Sequence, residues 1–368
     1  MSDKTEYRAR QWVSLPGGSL DVRLGTGVIE EASSLLKSSV GKPRAGMLVV
    51  GAGVDEELVE RVRRQMTDAG YAVERANVAA GRAARTLESA TALFEALEAA
   101  HITSDDLVVA VGDEDVLSLA SYACTLWCGG TVLVTVPTTQ LGMLEVSVGP
   151  RGIDVGSRSQ LITVRPSTKH VLFDTDVVLR DEVDEDMLMA RVLMVVTAMC
   201  DSEKSFSTLW DRSEDLVALD REVTLDQLQE TVKLRGKILS STALATRQSI
   251  MYGEAFARAI SRLVAGVAPS TARAEALRFQ ARLAAGEGMM QVDDVLAQDE
   301  LLEALELPVI SAHVDPTELI AAIKAERFEK TNRFLLGLPR SLGRVRLAAV
   351  SDELIAEHVA AWCASREA

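Results

Sequence analysis

The residues in this sequence best suited to chemistry are glycines, carboxylates, hydroxyls and arginines that gather where an apolar run stops. Leu107–Val111 is followed by Gly112-Asp113-Glu114-Asp115. A strand-to-helix turn of this kind, at the carboxyl edge of a parallel sheet, is a favoured ligand position. Three successive carboxylates there would repel a pyrophosphate, and they serve equally well as charges that complement the amino end of a helix. Val136-Pro137-Thr138-Thr139 sets two hydroxyls at the end of the next apolar run. Gly51-Ala52-Gly53 is a place where backbone N–H groups meet a phosphate. It lacks the third glycine of the dinucleotide fingerprint, however, and Asp55 and Glu56 follow. The stretch 147–160, SVGPRGIDVGSRSQ, carries Arg151 and Arg158. It reads either as a phosphate-binding loop, since arginine offers a bidentate fork, or as a hairpin with solvated arginines. Arg82 and Arg85 precede a helix, and Arg273 and Arg278 lie on one. Solvated faces are the plainer account of all four.

Nucleophilic and metal chemistry have less to work with. The four histidines, His101, His170, His313 and His358, are scattered. None has a His or Glu at the i+3 or i+4 spacing that converges on a metal. Glu357 is adjacent to His358, but neighbouring helix positions diverge. Cys124 and Cys128 lie four apart on what reads as one helix face, while Cys200 and Cys363 stand alone. No second thiol pair completes a zinc pattern, so buried structural thiols are expected.

The elements that must position these residues alternate in the first half. Apolar runs at 46–50, 107–111 and 131–136, with a strand at 71–78, are interleaved with helical periodicity at 55–69, 86–100 and 116–128. Gly70 stands where a helix C-cap favours a left-handed residue. Strand–helix–strand alternation at this spacing implies a doubly wound, Rossmann-like α/β domain with a parallel sheet. From about Asp176 the chain reads as helices at 184–200, 213–240, 248–265, 270–286 and 293–306. A short strand pair near 333–336 and 344–348 and a last helix at 351–364 follow. The expected domains are therefore 1–176 and a mainly α-helical 177–368. The apolar 186–199 helix suits either an oligomer interface or a core.

Composition narrows the function classes. The chain has 368 residues, 48% hydrophobic and 25% charged, with a formal net charge of −15. That excludes disordered and collagen-like classes, and such a charge repels a nucleic-acid backbone. No uninterrupted apolar stretch of about 18 residues exists to span a membrane. The amino end, MSDKTEYRARQWVSL, lacks a signal-peptide core, so a cytoplasmic protein is expected.

The residues carry a family resemblance. AGRAARTLESATALFEALEAAHITSDDLVVAVGDEDVLSLASYACTLWCGGTVLVTVPTT resembles the first-domain core of 3-dehydroquinate synthases and related sugar-phosphate cyclases, with its PxGExxK turn, GGGVVGD and VPTT. The likeness includes LGTGVIEEASSLL near the start, SVG at 147–149 and LFDTDVVL at 172–179. IMYGEAFARAI is similar to HTFGHAIE and ARAEALRF to HGEAVAIG, so the resemblance covers essentially the whole chain. It implies a dehydroquinate synthase-like fold, NAD in the first domain and a divalent metal, usually zinc, in the second. It also implies conversion of a seven-carbon phosphorylated sugar acid to 3-dehydroquinate, in the shikimate pathway of aromatic amino acid biosynthesis. That conversion proceeds by transient oxidation, phosphate elimination, reduction and ring closure.

Carried over residue by residue, the resemblance changes the chemistry. The metal-ligating Glu and two His fall at Leu193, Ile250 and Arg273, none of which ligates a metal. The second His of HTFGH becomes Glu254, the Asn three positions before the first His becomes Arg247, and the AEVIK lysine falls at about Val196. GGG becomes Gly112-Asp113-Glu114, and GD becomes Leu117-Ser118. Glu and Lys of PxGExxK become Arg82 and Arg85. VDSSVGGKTG reads LEVSVGPRGI, so Asp becomes Glu145 and Lys becomes Arg151, and the GKN lysine falls near Ser159. Thr138, Thr139, Ser147 and Gly149 match the pattern, and Arg235 falls near a further substrate lysine. The expected catalytic-position residues are thus Arg151, Arg235, Arg247 and Glu254, with Gly112, Asp113, Thr138 and Thr139 in the NAD region.

The preferred expectation is a degenerate member without metal- or NAD-dependent catalysis. It would act as a binding or regulatory protein for a small anionic or phosphorylated ligand near Arg151, Arg235, Arg247 and Arg273. No cofactor is expected on that reading, and a homodimer follows from the resemblance. The alternative is a diverged but active 3-dehydroquinate synthase or sugar-phosphate cyclase with NAD and zinc. A third is a metal-free enzyme with Glu145 and Glu254 as acid and base.

Overall fold

The computed structural model describes residues 8–16, 18–156 and 158–366. Residues 1–7 of the amino-terminal stretch and Ser157 of the 147–160 segment lie outside them. The chain divides into two compact units with the break between Arg180 and Asp181.

The first unit opens with β1 (Arg8–Leu15), β2 (Gly18–Gly25) and α1 (Ala32–Ser39). The repeating part runs β3 (Ala45–Gly51), α2 (Glu56–Asp68), β4 (Ala72–Val78), α3 (Leu87–Ala99), β5 (Leu107–Gly112), α4 (Glu114–Leu126) and β6 (Val132–Pro137). A hairpin of β7 (Arg151–Val155) and β8 (Arg158–Val164) follows, then β9 (Thr168–Asp174) and the short α5 (Thr175–Val178). The seven-stranded sheet has the order β1-β2-β9-β6-β5-β3-β4. Its strands pair in parallel except β1, which pairs antiparallel with β2. This is the expected doubly wound α/β architecture.

Alternation along β5 shows why both faces are covered. Val108 and Ala110 join a core with Leu93, Leu117 and Ala120 of α3 and α4. Leu107, Val109 and Val111 join the opposite core with Leu36, Val59 and Val62 of α1 and α2. A strand buried on both faces reads as a continuous apolar run, which is why this stretch is legible in sequence. Helix α2 ends as its glycine predicts. Gly70 has φ +100°, its N–H donates to Thr67 O, and Tyr71 N–H donates to Met66 O. These are the paired bonds of a Schellman cap.

The second unit contains α6 (Glu185–Asp201), α7 (Glu203–Asp211), α8 (Ser213–Val217), α9 (Arg221–Ser240) and α10 (Leu244–Ser249). It continues with α11 (Glu254–Leu263), α12 (Pro269–Gly286), α13 (Val292–Ala304) and α14 (Pro316–Phe328). The hairpin β10 (Leu336–Ser341) and β11 (Arg344–Ala348) and the helix α15 (Asp352–Arg366) complete it. Residues 192–200 of α6 are buried on every face, the pattern of a helix enclosed by its neighbours. Stacked Phe256 and Phe279, 4.1 Å between ring centres, with Trp362 edge-on to Phe256 at 5.1 Å, tie α11, α12 and α15 together.

Several expected elements differ. The helix read over 213–240 is two, because Leu219 takes a positive φ of 60° and Asp220 caps α9 by accepting from Val223 N–H. The helix read over 248–265 is likewise interrupted, with Gly253 at φ +83° between α10 and α11. Helices α7 and α14, the β1–β2 hairpin and strand β9 were not expected, and β10 begins where the first short strand was expected to end. Cys124 and Cys128 do not share a helix face. Cys124 is buried in α4, whereas Cys128 follows the helix at φ +52° and is exposed.

Candidate functional site

In a doubly wound sheet the ligand crevice lies where the strand order reverses, here between the carboxyl ends of β3 and β5. Both ends are glycine for a packing reason. A Cβ on Gly51 would stand 2.7 Å from Val116 Cγ2, and one on Gly112 would stand 2.8 Å from Val116 Cβ. These glycines let α4 sit close against the sheet.

The helix ends at this crevice are closed by their own side chains. Asp55 caps α2 by accepting from Glu57 N–H. Asp113 caps α4, its Oδ1 accepting from Asp115 N–H at 3.1 Å and Val116 N–H at 2.9 Å. Its other oxygen, Oδ2, accepts from Gly81 N–H at 2.9 Å. The N–H of Ala52 donates to Val78 O, so the Gly51-Ala52-Gly53 turn spends that donor on the backbone after β4.

Carboxylates crowd this edge. Burial pushes the Glu114 carboxyl up to about 7, reinforced by the charges of Asp115 and Asp113. Thr139 Oγ1 donates to Glu114 Oε2 at 3.1 Å and accepts from Gly142 N–H, so its hydroxyl is used within the turn. Thr138 donates its N–H to Gly112 O. Burial raises the Asp115 carboxyl, and Arg85, 3.1 Å away, opposes the rise. Arg85 and Arg82 both reach Asp154, at 3.4 and 3.3 Å. These two arginines lie in a 3₁₀ turn, Gly81–Arg85, and Arg85 is largely buried in ion pairs rather than solvated.

The 147–160 segment is a hairpin, but its two arginines differ. Arg158 is exposed, whereas Arg151 is 7% exposed at the start of β7. Its guanidinium stands 3.8 Å from Glu145, and its Nε has no hydrogen-bond partner among the described residues. A buried guanidinium is a fork suited to carboxylate or phosphate oxygens.

In the second unit, Leu193 is buried on α6, and one turn later Thr197 Oγ1 accepts from buried Arg235 of α9 at 3.3 Å. Arg273 donates from Nη2 to Ile250 O at 3.3 Å, so its guanidinium lies at the end of α10. Arg235 and Arg273, with Arg346, put positive charge around the buried Cys200, whose thiol burial nonetheless pushes up to about 12. Arg247 has a structural task, donating to Ser241 O and Thr242 O just past the end of α9. Arg278 is not on a solvated face. It is buried, pairs with Glu275 at 3.2 Å and donates to Leu307 O and Pro308 O.

Glu254 opens α11 beside a cleft of about 30 Å³ lined by Met251, Arg258, Gln280, Arg327 and Lys330. Burial works against its charge, but Arg258, Arg273, Lys330 and Arg327 together hold the carboxyl below its usual value. A carboxylate so stabilised is a poor general acid or base near neutral pH, which weakens the metal-free enzyme expectation. Arg258, Arg327 and Lys330 were missed from the sequence. The i,i+4 spacing of Glu254 and Arg258, which form an ion pair, was the available signal for one of them.

The residues do not fit a catalytic zinc. The positions the resemblance assigns to its ligands are apolar Leu193 and Ile250 and cationic Arg273. Among the described residues no group of three or more His, Cys, Asp or Glu could hold a metal. His170 is buried 3.4 Å from Asp21 in the first unit, and His358 packs over Gly286 in the second. No helix among the described residues is long and apolar enough to cross a membrane.

A family model described as "3-dehydroquinate synthase N-terminal" matches residues 75–186. The chain is 24% identical over 366 residues to a 3-dehydroquinate synthase of Rhodopirellula baltica, covering 96% of this chain and 97% of that one. Among solved structures, it superposes on a 2-deoxy-scyllo-inosose synthase complexed with carbaglucose-6-phosphate, NAD+ and Co2+ with a TM-score of 0.82 at 18% identity, over 95% of this chain and 99% of that chain. A 2-epi-5-epi-valiolone synthase from Streptomyces hygroscopicus with NAD+ and Zn2+ bound gives 0.80 at 17% identity, over 95% and 98%. Those two structures establish the shared fold, and the sequence likeness, running the length of both chains, makes this protein similar to 3-dehydroquinate synthases.

Proposed function

We propose that this chain is a binding member of the 3-dehydroquinate synthase family, one that takes a small polyhydroxylated anion of the kind the cyclases convert and does so without a bound zinc. This reading is supported by the positions that the resemblance assigns to the metal ligands, Leu193, Ile250 and Arg273, and by the hydrogen bond from Arg273 to the backbone of Ile250. Arginine supplies positive charge that no pH between 5 and 9 removes, and its planar fork suits carboxylate and phosphate oxygens. In the first unit, Arg151 is a buried guanidinium whose Nε has no hydrogen-bond partner among the described residues, a separate feature that suits an anion. The 2-deoxy-scyllo-inosose synthase that shares this fold holds a sugar-phosphate analogue, which is the ligand class we carry over.

A second reading is an active cyclase using NAD and zinc. It is favoured by the comparisons, since the likeness to 3-dehydroquinate synthases runs over 96% of the chain and both solved neighbours hold NAD+ with a divalent metal. Calorimetry with glucose 6-phosphate, zinc and NAD+, run beside a phosphate-release assay on the seven-carbon phosphorylated sugar acid, separates the two. Sugar-phosphate binding that survives chelation and weakens about tenfold or more in Arg151→Met supports the binding reading. Zinc-dependent phosphate release overturns it in favour of the cyclase.

A further inference from the structure

Two solved structures of this fold have NAD+ bound, doubly wound sheets take a dinucleotide at their carboxyl edge, and the residues at that edge in this chain do not fit a pyrophosphate. We propose that Asp113 is a resident anion: its carboxylate occupies the backbone donors that a pyrophosphate would need, so that this chain excludes NAD from its own sheet edge. Three N–H groups converge on that one side chain, from Asp115 and Val116 at the start of α4 and from Gly81 across the crevice. The donors at a helix amino end and in the facing turn are what attract a phosphate oxygen in doubly wound folds. Here each of the three already has an oxygen 2.9 to 3.1 Å away.

The surroundings defend the arrangement. Asp115 adds a carboxyl group at the helix start, and Glu114, raised to about 7, adds a further negative charge as the pH passes that value, so a diphosphate entering there would meet like charge. Arg85, the nearby guanidinium that might offset them, is held by Asp115 and Asp154. Gly112 is packed against the helix, since a Cβ there would stand 2.8 Å from Val116 Cβ. The Asp113–Gly81 bond also ties the 3₁₀ turn Gly81–Arg85 to α4. This closure belongs to the first unit and stands whichever ligand the second unit takes.

The test uses the full chain and two probes, NAD+ and inorganic pyrophosphate, in calorimetry. Three proteins are compared: the natural chain, Asp113→Ser, and Asp113→Gly combined with Glu114→Gly. Serine keeps a helix cap while removing the charge, so it remains informative if the glycine pair fails to fold. The expected result is no NAD+ binding by the natural chain below millimolar concentration, and at least tenfold tighter binding of NAD+ or pyrophosphate by a variant. Hydrogen exchange supplies a second readout, in which the Gly81 amide loses protection in Asp113→Ser while the Val116 amide, still capped, keeps it. Micromolar NAD+ binding by the natural chain overturns the proposal. So does a folded variant that binds neither probe more tightly, or a Gly81 amide as protected without Asp113 as with it.

Discussion

At the scale of single residues, the edge of the sheet makes stability depend on pH. The Glu114 carboxyl is raised from 4.5 to about 7 in the fold, first by burial and then by Asp115 and Asp113. Between these values the native chain holds a proton that the unfolded chain has released, so the unfolding free energy falls as pH rises from about 4.5 to 7 and levels above it. The full effect is at most about 3 kcal/mol. Glu114→Gln should flatten that part of the profile, measured by urea unfolding at a series of pH values. An unchanged slope would mean that the carboxyl is not held in its neutral form. Glu275 tests the opposite case, a buried charge that is fully engaged. It accepts from Trp362 Nε1 and Arg366 Nε and pairs with Arg278, all in the second unit. Glu275→Ala should lower the unfolding free energy by about 3–5 kcal/mol, because two guanidiniums lose their counter-charge. Chemical denaturation checks it, and a loss below about 1 kcal/mol would contradict the assignment.

At the scale of elements, packing decides where helices stop and which thiols react. The Ala/Leu/Glu/Arg pattern over 213–240 shows no break in periodicity, yet the chain turns at Leu219 because Asp220 is available to cap the next helix. In the β7–β8 hairpin, a Cβ on Gly152 would stand 1.9 Å from Ile162 O, closer than any side chain can come to the opposing strand. Gly152→Ala should therefore destabilise the hairpin by about 1–3 kcal/mol or more and displace Arg151 beside it. The measurements are thermal unfolding and sugar-phosphate affinity, which should fall together. Cys124 is buried in α4 and its thiol is pushed up to about 12, while Cys128, past the helix end, is exposed. A thiol reagent should modify about one cysteine quickly in the native chain, lost in Cys128→Ser, since only an accessible thiolate reacts. Rapid labelling that persists in that variant would show that α4 opens.

For the whole molecule, the proposed binding reading predicts independence from zinc. A structural or catalytic zinc adds its binding free energy to the stability of the native state. With Leu193, Ile250 and Arg273 at the ligand positions, the melting temperature should be the same with a chelator or with added zinc, measured by calorimetry at matched ionic strength. A zinc-dependent rise would show a site that the described residues do not reveal.

Sequence alone determined the architecture of the first unit and its helical successor, because a sheet buried on both faces must be written as apolar runs between amphipathic helices. The run Leu107–Val111 and the cap at Gly70 are instances of that local grammar. Tertiary structure alone decided how the charged residues are spent. Arg278 and Arg247 serve the backbone, Arg85 serves two aspartates, and Arg151 is left buried with unused hydrogen-bonding capacity. Asp113 reads in sequence as an ordinary helix-capping charge, and only the approach of Gly81, 32 positions earlier, makes it a bridge. Periodicity reports which face of an element is apolar, but the partner of a charge is set by residues far away in the chain that folding brings within 3 Å.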